Sequence, residues 1–497
     1  VSLHAGIDLG TQSVKLLAYD AERRHVVACV SAPLQMIARD DGTREQLGNW
    51  WLDAVGACFS KLGPELRRQI VSIGVSGQQH GFVAIDEVGR VLAPVKLWCD
   101  TATQQECAQI VAAMGGQEAC IAATGNALLT GYTASKVRWM RDHRADAYRQ
   151  MRTILLPHDY LNFFLTGERF TELGDASGTG WLDVRSLTWS GEALAAIDPM
   201  RDLGACLPRI AQIESLLPVT RDAAAEFGIP TTARVSVGGG DNMMAAIGTG
   251  NLSEGELTLS LGTSGTLFAY SDRPVVDPQG RWAAFCSSSG GWLPLICTMN
   301  CTASTEATAH LLGKSTRDLD RLLANTPPGA SGITMLPFFN GERTPDLPQA
   351  KASLFGLDAA NATDANVLRA SMEGATYSLR NGMDALALAG LEFSRVRLTG
   401  GGSHSLVWRQ MVADVFDLPV DVPQQAEGAA LGAALQGFWA CCREAGDRRS
   451  MAELLSDHVA NEEAFGCTPN ASAVEQYRHH YGQYLRYQAL MMQYHAG

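Results

Sequence analysis

No run of five or six lysines and arginines interrupts this chain, and its formal net charge is −13. Without a basic patch, that surplus of acids repels a phosphate backbone, so no nucleic-acid partner is expected. The twelve cysteines form no CxxC pair and no Cys/His metal spacing; Cys297 with Cys301, and Cys441 beside Cys442, come nearest. They read as free thiols in a reducing compartment. No apolar stretch approaches the roughly 20 residues of a bilayer-spanning helix. The opening VSLHAGIDLG enters a strand pattern directly, in place of the basic, apolar and cleavage regions of a signal peptide. The expectation is a soluble, cytoplasmic protein without a membrane partner.

What the chain does have is enough material for two cores. Its 497 residues exceed what one core usually serves, and with 46% hydrophobic and 18% charged residues it falls in the ordinary globular range. Strand-like runs such as VSIGVSG (71–77), RVSVGGG (234–240) and RVRLTGGG (395–402) alternate with longer amphipathic segments, which argues for an α/β fold. AGIDLGTQSVKLLAYD (5–20) differs, since it leaves no room for a helix and reads as a β-hairpin with Gly10 and Thr11 in its turn. LTLSLGTSGTLFAY (257–270) repeats the device. Aligning the two Leu-Gly-Thr triplets sets Asp8 against Ser260, so the chain reads as an internal duplication in which one hairpin alone carries an acid. The loop-like GTGNLSEGE places a boundary near 248/249, giving domains 1–248 and 249–497 with a cleft expected between them. Near the carboxyl end Tyr477, Tyr481, Tyr484 and Tyr487 recur at helical spacing, the mark of a packed amphipathic helix.

Turns of Gly, Thr and Ser aim successive N–H groups at one spot and suit phosphate oxygens. Thr11, Gln12 and Ser13 are the candidates in the first turn, and Gly262, Thr263 and Ser264 in the second. Asp8 is a hard oxygen ligand of the kind Mg²⁺ takes, largely through waters. The triple glycine at Gly400–Gly402, ahead of a helix-like run, lets backbone approach a flat or anionic ligand; it does not match GxGxxG. Asp241, after VGGG, has two readings: a helix N-cap, or an acceptor that orients a hydroxyl nucleophile. Gln79 and His80 in SGQQHGF are suited to bonding several hydroxyls at once, and Trp98 and Asp100 in KLWCD offer an apolar wall and an acceptor for a polyol.

Assembled, these residues resemble the FGGY carbohydrate kinases over nearly the whole length. GIDLGTQSVK is similar to the family's first phosphate motif, LSLGTSG to its second and LTGGGS to its adenosine motif. GYTASKVRWM (131–140), with Lys136 and Trp139, and ASLFGL followed by NVLRASME (352–373) are similar to its longer signatures. The resemblance implies two ribonuclease H-like, actin-like domains flanking an ATP cleft, with Asp241 as the catalytic base and Asp8 beside Mg–ATP. Within the family the chain is similar to the members that phosphorylate D-xylulose, which implies transfer from ATP to the sugar's 5-hydroxyl with Gln79 and His80 holding the ketose. Gln79 stands where those relatives usually carry Met, Ala102 where bacterial ones often carry Arg, and Ser405 where glycerol kinases place an Asn near adenine. A kinase for L-ribulose or gluconate, and an actin-like or chaperone-like nucleotide switch, remain as alternatives. A homodimer is compatible with all of them.

Overall fold

The computed structural model describes residues 2–496. It divides the chain into two compact units. One comprises the chain up to Leu252 with Asp272–Leu293 and Glu427–Val459; the other comprises Ser253–Ser271, Pro294–Ala426 and the chain from Ala460 onward. The first crossing lies a few residues past the expected 248/249. The single cut at that point is corrected by Glu427–Val459, which belongs to the first unit. No helix among the described residues is long and apolar enough to cross a membrane.

The first unit is built on a seven-stranded sheet. Its order is Leu216–Pro218, Arg234–Ser236, Ile70–Gly77, Leu3–Leu9, Ser13–Asp20 and His25–Pro33, with the short strand Gly239–Gly240 also paired to Ile70–Gly77. The expected hairpin is present: Leu3–Leu9 and Ser13–Asp20 run antiparallel, with Asp8 opposite Lys15. Successive side chains alternate between the faces of the sheet. Leu3, Ala5, Ile7 and Leu9 join one core cluster with Trp51, Val55, Cys58 and Phe59 of helix Gly48–Leu62. That helix buries positions 51, 54, 55, 58, 59 and 62, the apolar stripe of a 3.6-residue period. Burial of Trp51 or Phe59 contributes about 2–3 kcal/mol each.

The opposite face receives helix Gly428–Glu444, which explains the return of the chain. Its sequence GAALGAALQGFWACC exposes mostly small residues, so it can seat closely only on a flat patch. Gly6 and Gly74 supply one, as register partners on adjacent parallel strands. A β-carbon on Gly6 would lie 1.8 Å from the Ala430 carbonyl oxygen, and one on Gly74 1.9 Å from that of Ala433.

Within the second unit, neighbouring strands run Gly265–Ala269, Gly255–Leu261, Phe393–Thr399, Val420–Asp421. Gly255–Leu261 pairs antiparallel with Gly265–Ala269 and parallel with Phe393–Thr399, the pattern that Leu3–Leu9 makes with its own two neighbours. The expected duplication is thus present in topology, and Ser260 occupies the position of Asp8. The tyrosine-rich segment forms helix Ala471–Ala496, with Tyr477 and Tyr484 buried against the ring of Tyr377.

Candidate active site

Three adjacent parallel strands of the first unit end together. Asp8 stands opposite Ser76, while Gly239 and Gly240 stand opposite Ser76 and Gly77. Their carboxyl ends therefore deliver Asp8, the Gln78–Gln79–His80 segment and Asp241 to one edge of the sheet, the edge at which α/β sheets place ligands.

The three glycines before Asp241 have separate tasks. Gly238 adopts φ 72°, in the left-handed region, where a β-carbon would also lie 2.2 Å from the Val75 carbonyl oxygen. Gly239 packs on Ser288, and Gly240 admits the side chain of Gln79. The N-cap reading of Asp241 is corrected: Gly240 is the cap residue, and Asp241 opens helix Asp241–Thr249. Its Oδ1 accepts from the Asn242 backbone N–H at 2.8 Å and from Asn242 Nδ2 at 3.1 Å. Asn242 Nδ2 also donates to Gln79 Oε1 at 2.9 Å. Burial first, then the charges of Asp8 and Asp175, push the Asp241 carboxyl up to about 7, against the bonds from Asn242. A carboxyl so raised is matched to proton transfer near neutral pH, which an ordinary aspartate is not.

Asp8 Oδ1 accepts from the Ser76 hydroxyl at 2.9 Å. Burial raises its carboxyl, while Ser76 and Lys15 oppose the rise. Lys15 is itself paired with Glu427. Among the described residues no three His, Cys, Asp or Glu side chains gather as a metal cage. One carboxylate with an oxygen left after Ser76 fits an ion such as Mg²⁺, which keeps waters and phosphate oxygens as its other ligands.

The first hairpin turn is anchored through its carbonyls. Gly10 N–H donates to Ser13 O at 3.1 Å, Leu34 N–H to Gln12 O at 2.8 Å, and Gln46 Nε2 to Thr11 O at 2.8 Å. With those oxygens taken up inside the protein, the turn does not present them to an anion. The Thr11 hydroxyl accepts from Trp98 Nε1 at 3.0 Å and donates to Gln78 Oε1 at 3.1 Å, so its proton is committed. Trp98 is 44% exposed beside this turn. In the second unit, Gly262 O and Thr263 O likewise accept from backbone N–H groups at Cys301, Thr302 and Ala303.

Gly400 adopts φ 82°, and a β-carbon there would lie 2.7 Å from the Leu261 carbonyl, while Gly401 faces open space. The helix that follows, Leu406–Phe416, is not left open to an anion, which corrects that part of the sequence reading. Asp320 accepts from the Leu406 and Val407 N–H groups at 3.0 and 3.2 Å and from the Ser405 hydroxyl. Ser405 is the N-cap, accepting from Trp408 N–H at 3.2 Å.

Asp100 is corrected outright. It is fully buried, and its carboxylate accepts from Lys96 Nζ at 3.0 Å and from the backbone N–H of Arg44 and Ala102. Lys96 also meets Glu45 at 3.2 Å and lies 4.0 Å from the Trp139 ring centroid. A carboxylate so enclosed braces the fold and has no route to a sugar hydroxyl.

The structure adds residues that the sequence reading passed over. Asn242 is one. Beneath Gln79 and His80, the wholly buried His158 lies 2.7 Å from Asp175 Oδ2 through Nδ1 and 3.1 Å from Asp159 Oδ1 through Nε2. Burial holds Asp175 far above the usual carboxylate range, with the Gln79 side chain and the His80 N–H facing it. Asp159 is pushed up to about 7, again by burial first. The only sequence signal was polar residues set within apolar runs, PHDYL and LGDASG. Lys136, quoted in a signature without a role, is fully buried, and burial lowers its ammonium to about 7 against the pull of Asp100.

Residues 3–248 match the N-terminal domain of the FGGY family of carbohydrate kinases and residues 257–441 its C-terminal domain. The chain is 43% identical over 491 residues to the xylulose kinase of Haemophilus influenzae, covering 97% of this chain and 99% of that one. It is 35% identical over 461 residues to the xylulose kinase of Escherichia coli, covering 91% and 92%. A solved xyloylose kinase from Brucella ovis superposes with a TM-score of 0.90 at 31% identity, over 99% of both chains. The fold is accordingly the two-domain, actin-like and ribonuclease H-like one. Matched in both halves and along nearly its full length, this chain belongs to the FGGY family of carbohydrate kinases.

Proposed function

We propose that the protein transfers the γ-phosphoryl group of ATP to the 5-hydroxyl of D-xylulose, giving D-xylulose 5-phosphate and ADP. The observation that carries the reaction type is Asp241, raised to about 7 and fixed by Asn242 beside Gln79. The substrate rests on the xylulose kinases that this chain resembles at 35–43% identity.

Phosphoryl transfer passes through a loose transition state, so positioning and charge neutralisation carry most of the rate. Asp241 takes the hydroxyl proton as the bond to phosphorus forms, and Gln79 and His80 hold the ketose beside it. Trp98 gives the sugar an apolar wall. Backbone N–H groups at Thr11, Gln12 and Ser13, and at Gly262 and Thr263, take phosphate oxygens; the backbone at Gly400 and Gly401 takes the adenosine end, while Ser405 stays with Asp320 and Trp408. Asp8 would hold Mg²⁺, which would supply positive charge against the phosphates. The twelve free thiols suit a reducing cytoplasm.

A coupled assay of ADP release with D-xylulose, L-ribulose, gluconate, glycerol and no sugar tests this reading. Saturable release with the highest kcat/KM on D-xylulose is expected. A higher kcat/KM on another of the four, or a rate that no sugar changes, overturns it.

A further inference from the structure

His80 is held at φ 63°, in the left-handed region that a β-carbon disfavours, so something must keep it there. Two donors grip its carbonyl oxygen from one helix. Lys136 Nζ donates at 2.7 Å and Thr133 Oγ1 at 3.2 Å, both from the start of helix Thr133–His143. Three residues apart, they share one face. Lys136 Nζ also donates to the Gly131 carbonyl at 2.6 Å. Gly131 in turn backs onto Trp98, whose carbonyl oxygen would lie 2.8 Å from a β-carbon placed there.

A fully buried lysine is rare unless paired with a carboxylate. The partners of this one are two carbonyls, and Asp100, the acid acting on it, is itself taken up by Lys96. The ammonium therefore ties the segment that presents Gln79 and His80 to the turn that backs Trp98. The His80 ring lies tilted against Tyr132 and Phe285, at centroid distances of 4.8 and 5.7 Å, a packing that depends on the backbone conformation the clamp holds.

We propose that Lys136, with Thr133, is a positioning residue for sugar binding: it clamps the His80 carbonyl and so aims Gln79 and His80 at the substrate, with no part in nucleotide binding. The proposal rests on the reading of Gln79 and His80 as contacts of D-xylulose.

Calorimetric titration of D-xylulose into the full chain without nucleotide, beside KM for ATP, tests it. Lys136→Met is expected to weaken D-xylulose binding by about tenfold or more, the scale of a hydrogen bond from a charged donor. Thr133→Val is expected to weaken it by about three- to tenfold, the scale of a neutral hydrogen bond. KM for ATP stays within about twofold in both, because a hydrogen bond lost at the sugar leaves uninvolved contacts intact. A lysine that merely supports the fold would move both substrates together. Wild-type protein that takes up no D-xylulose overturns the substrate reading, and the clamp falls with it. Normal wild-type binding that both variants retain, or an equal rise in KM for ATP, overturns the clamp alone. If Lys136→Met does not fold, Thr133→Val decides by the same criteria.

Discussion

The side-chain amide of Asn242 donates to Gln79 Oε1 at 2.9 Å while also reaching Asp241 Oδ1 at 3.1 Å. One amide thus couples the residue proposed to hold the sugar to the residue proposed to take its proton. Because the bond favours the ionised form of Asp241, Asn242→Ala lets that carboxyl rise above about 7. The acid limb of kcat/KM for the sugar then moves to higher pH, and kcat falls by about tenfold as the carboxylate loses its fixed orientation. A pH profile of the variant beside wild type checks the sign; an acid limb that stays in place or moves down counts against the coupling.

Asp241→Asn keeps the shape of the side chain and removes the proton acceptor. It is expected to lower kcat by about a hundredfold or more while D-xylulose affinity changes little. In wild type the active form is the deprotonated one, so kcat/KM should fall as pH drops through about 7. Steady-state kinetics from pH 5.5 to 9 read both effects, and near-normal turnover of the variant would remove Asp241 from the role.

How much of this was legible before the structure follows from the range of each interaction. The two hairpins were readable because Gly and Thr at the turns and apolar runs beside them are local signals, and the asymmetry of Asp8 against Ser260 came with them. The tyrosine helix was readable from its period alone. The return of Gly428–Glu444 to the first unit was not, since an apolar helix looks the same wherever it packs. Its seat is marked only by Gly6 and Gly74, far away in sequence. Asp100 misled for the same reason: its partners include Arg44 and, through Lys96, Glu45, which no local motif joins to KLWCD. His158, Asp159 and Asp175 look like scattered polar residues in the sequence, and only folding buries them together.

The correction of Asp100 has its own consequence. Asp100→Ala leaves Lys96 buried with Glu45 as its one remaining acid and orphans two backbone N–H groups. Breaking a buried ion pair by removing one partner costs about 3 kcal/mol. The midpoint of thermal or urea unfolding should fall accordingly, and KM for D-xylulose in the folded fraction should rise no further than in Lys136→Met, since Asp100 reaches the sugar only by favouring the Lys136 ammonium. A large rise in that KM with stability unchanged would return Asp100 to the sugar.

The last expectation concerns the seat beneath the site. A β-carbon at Gly6 would lie 1.8 Å from the Ala430 oxygen and 2.8 Å from the Ala434 nitrogen, both backbone atoms of helix Gly428–Glu444. No rotamer change can relieve such a clash, so the helix or the strand must shift, and Gly6→Ala should destabilise by about 2–3 kcal/mol. Asp8 lies two residues along the same strand on the same face, so the shift carries its carboxylate away from Ser76 and should lower kcat as well. Gly56 in helix Gly48–Leu62 is the control. A β-carbon there meets only Phe227 at an ordinary 3.7 Å, and the helical backbone needs no glycine. Gly56→Ala should therefore raise stability by about 0.5–1 kcal/mol with unchanged turnover. Equal effects of the two substitutions in urea unfolding would mean that the close approach of helix to sheet does not set the position of Asp8.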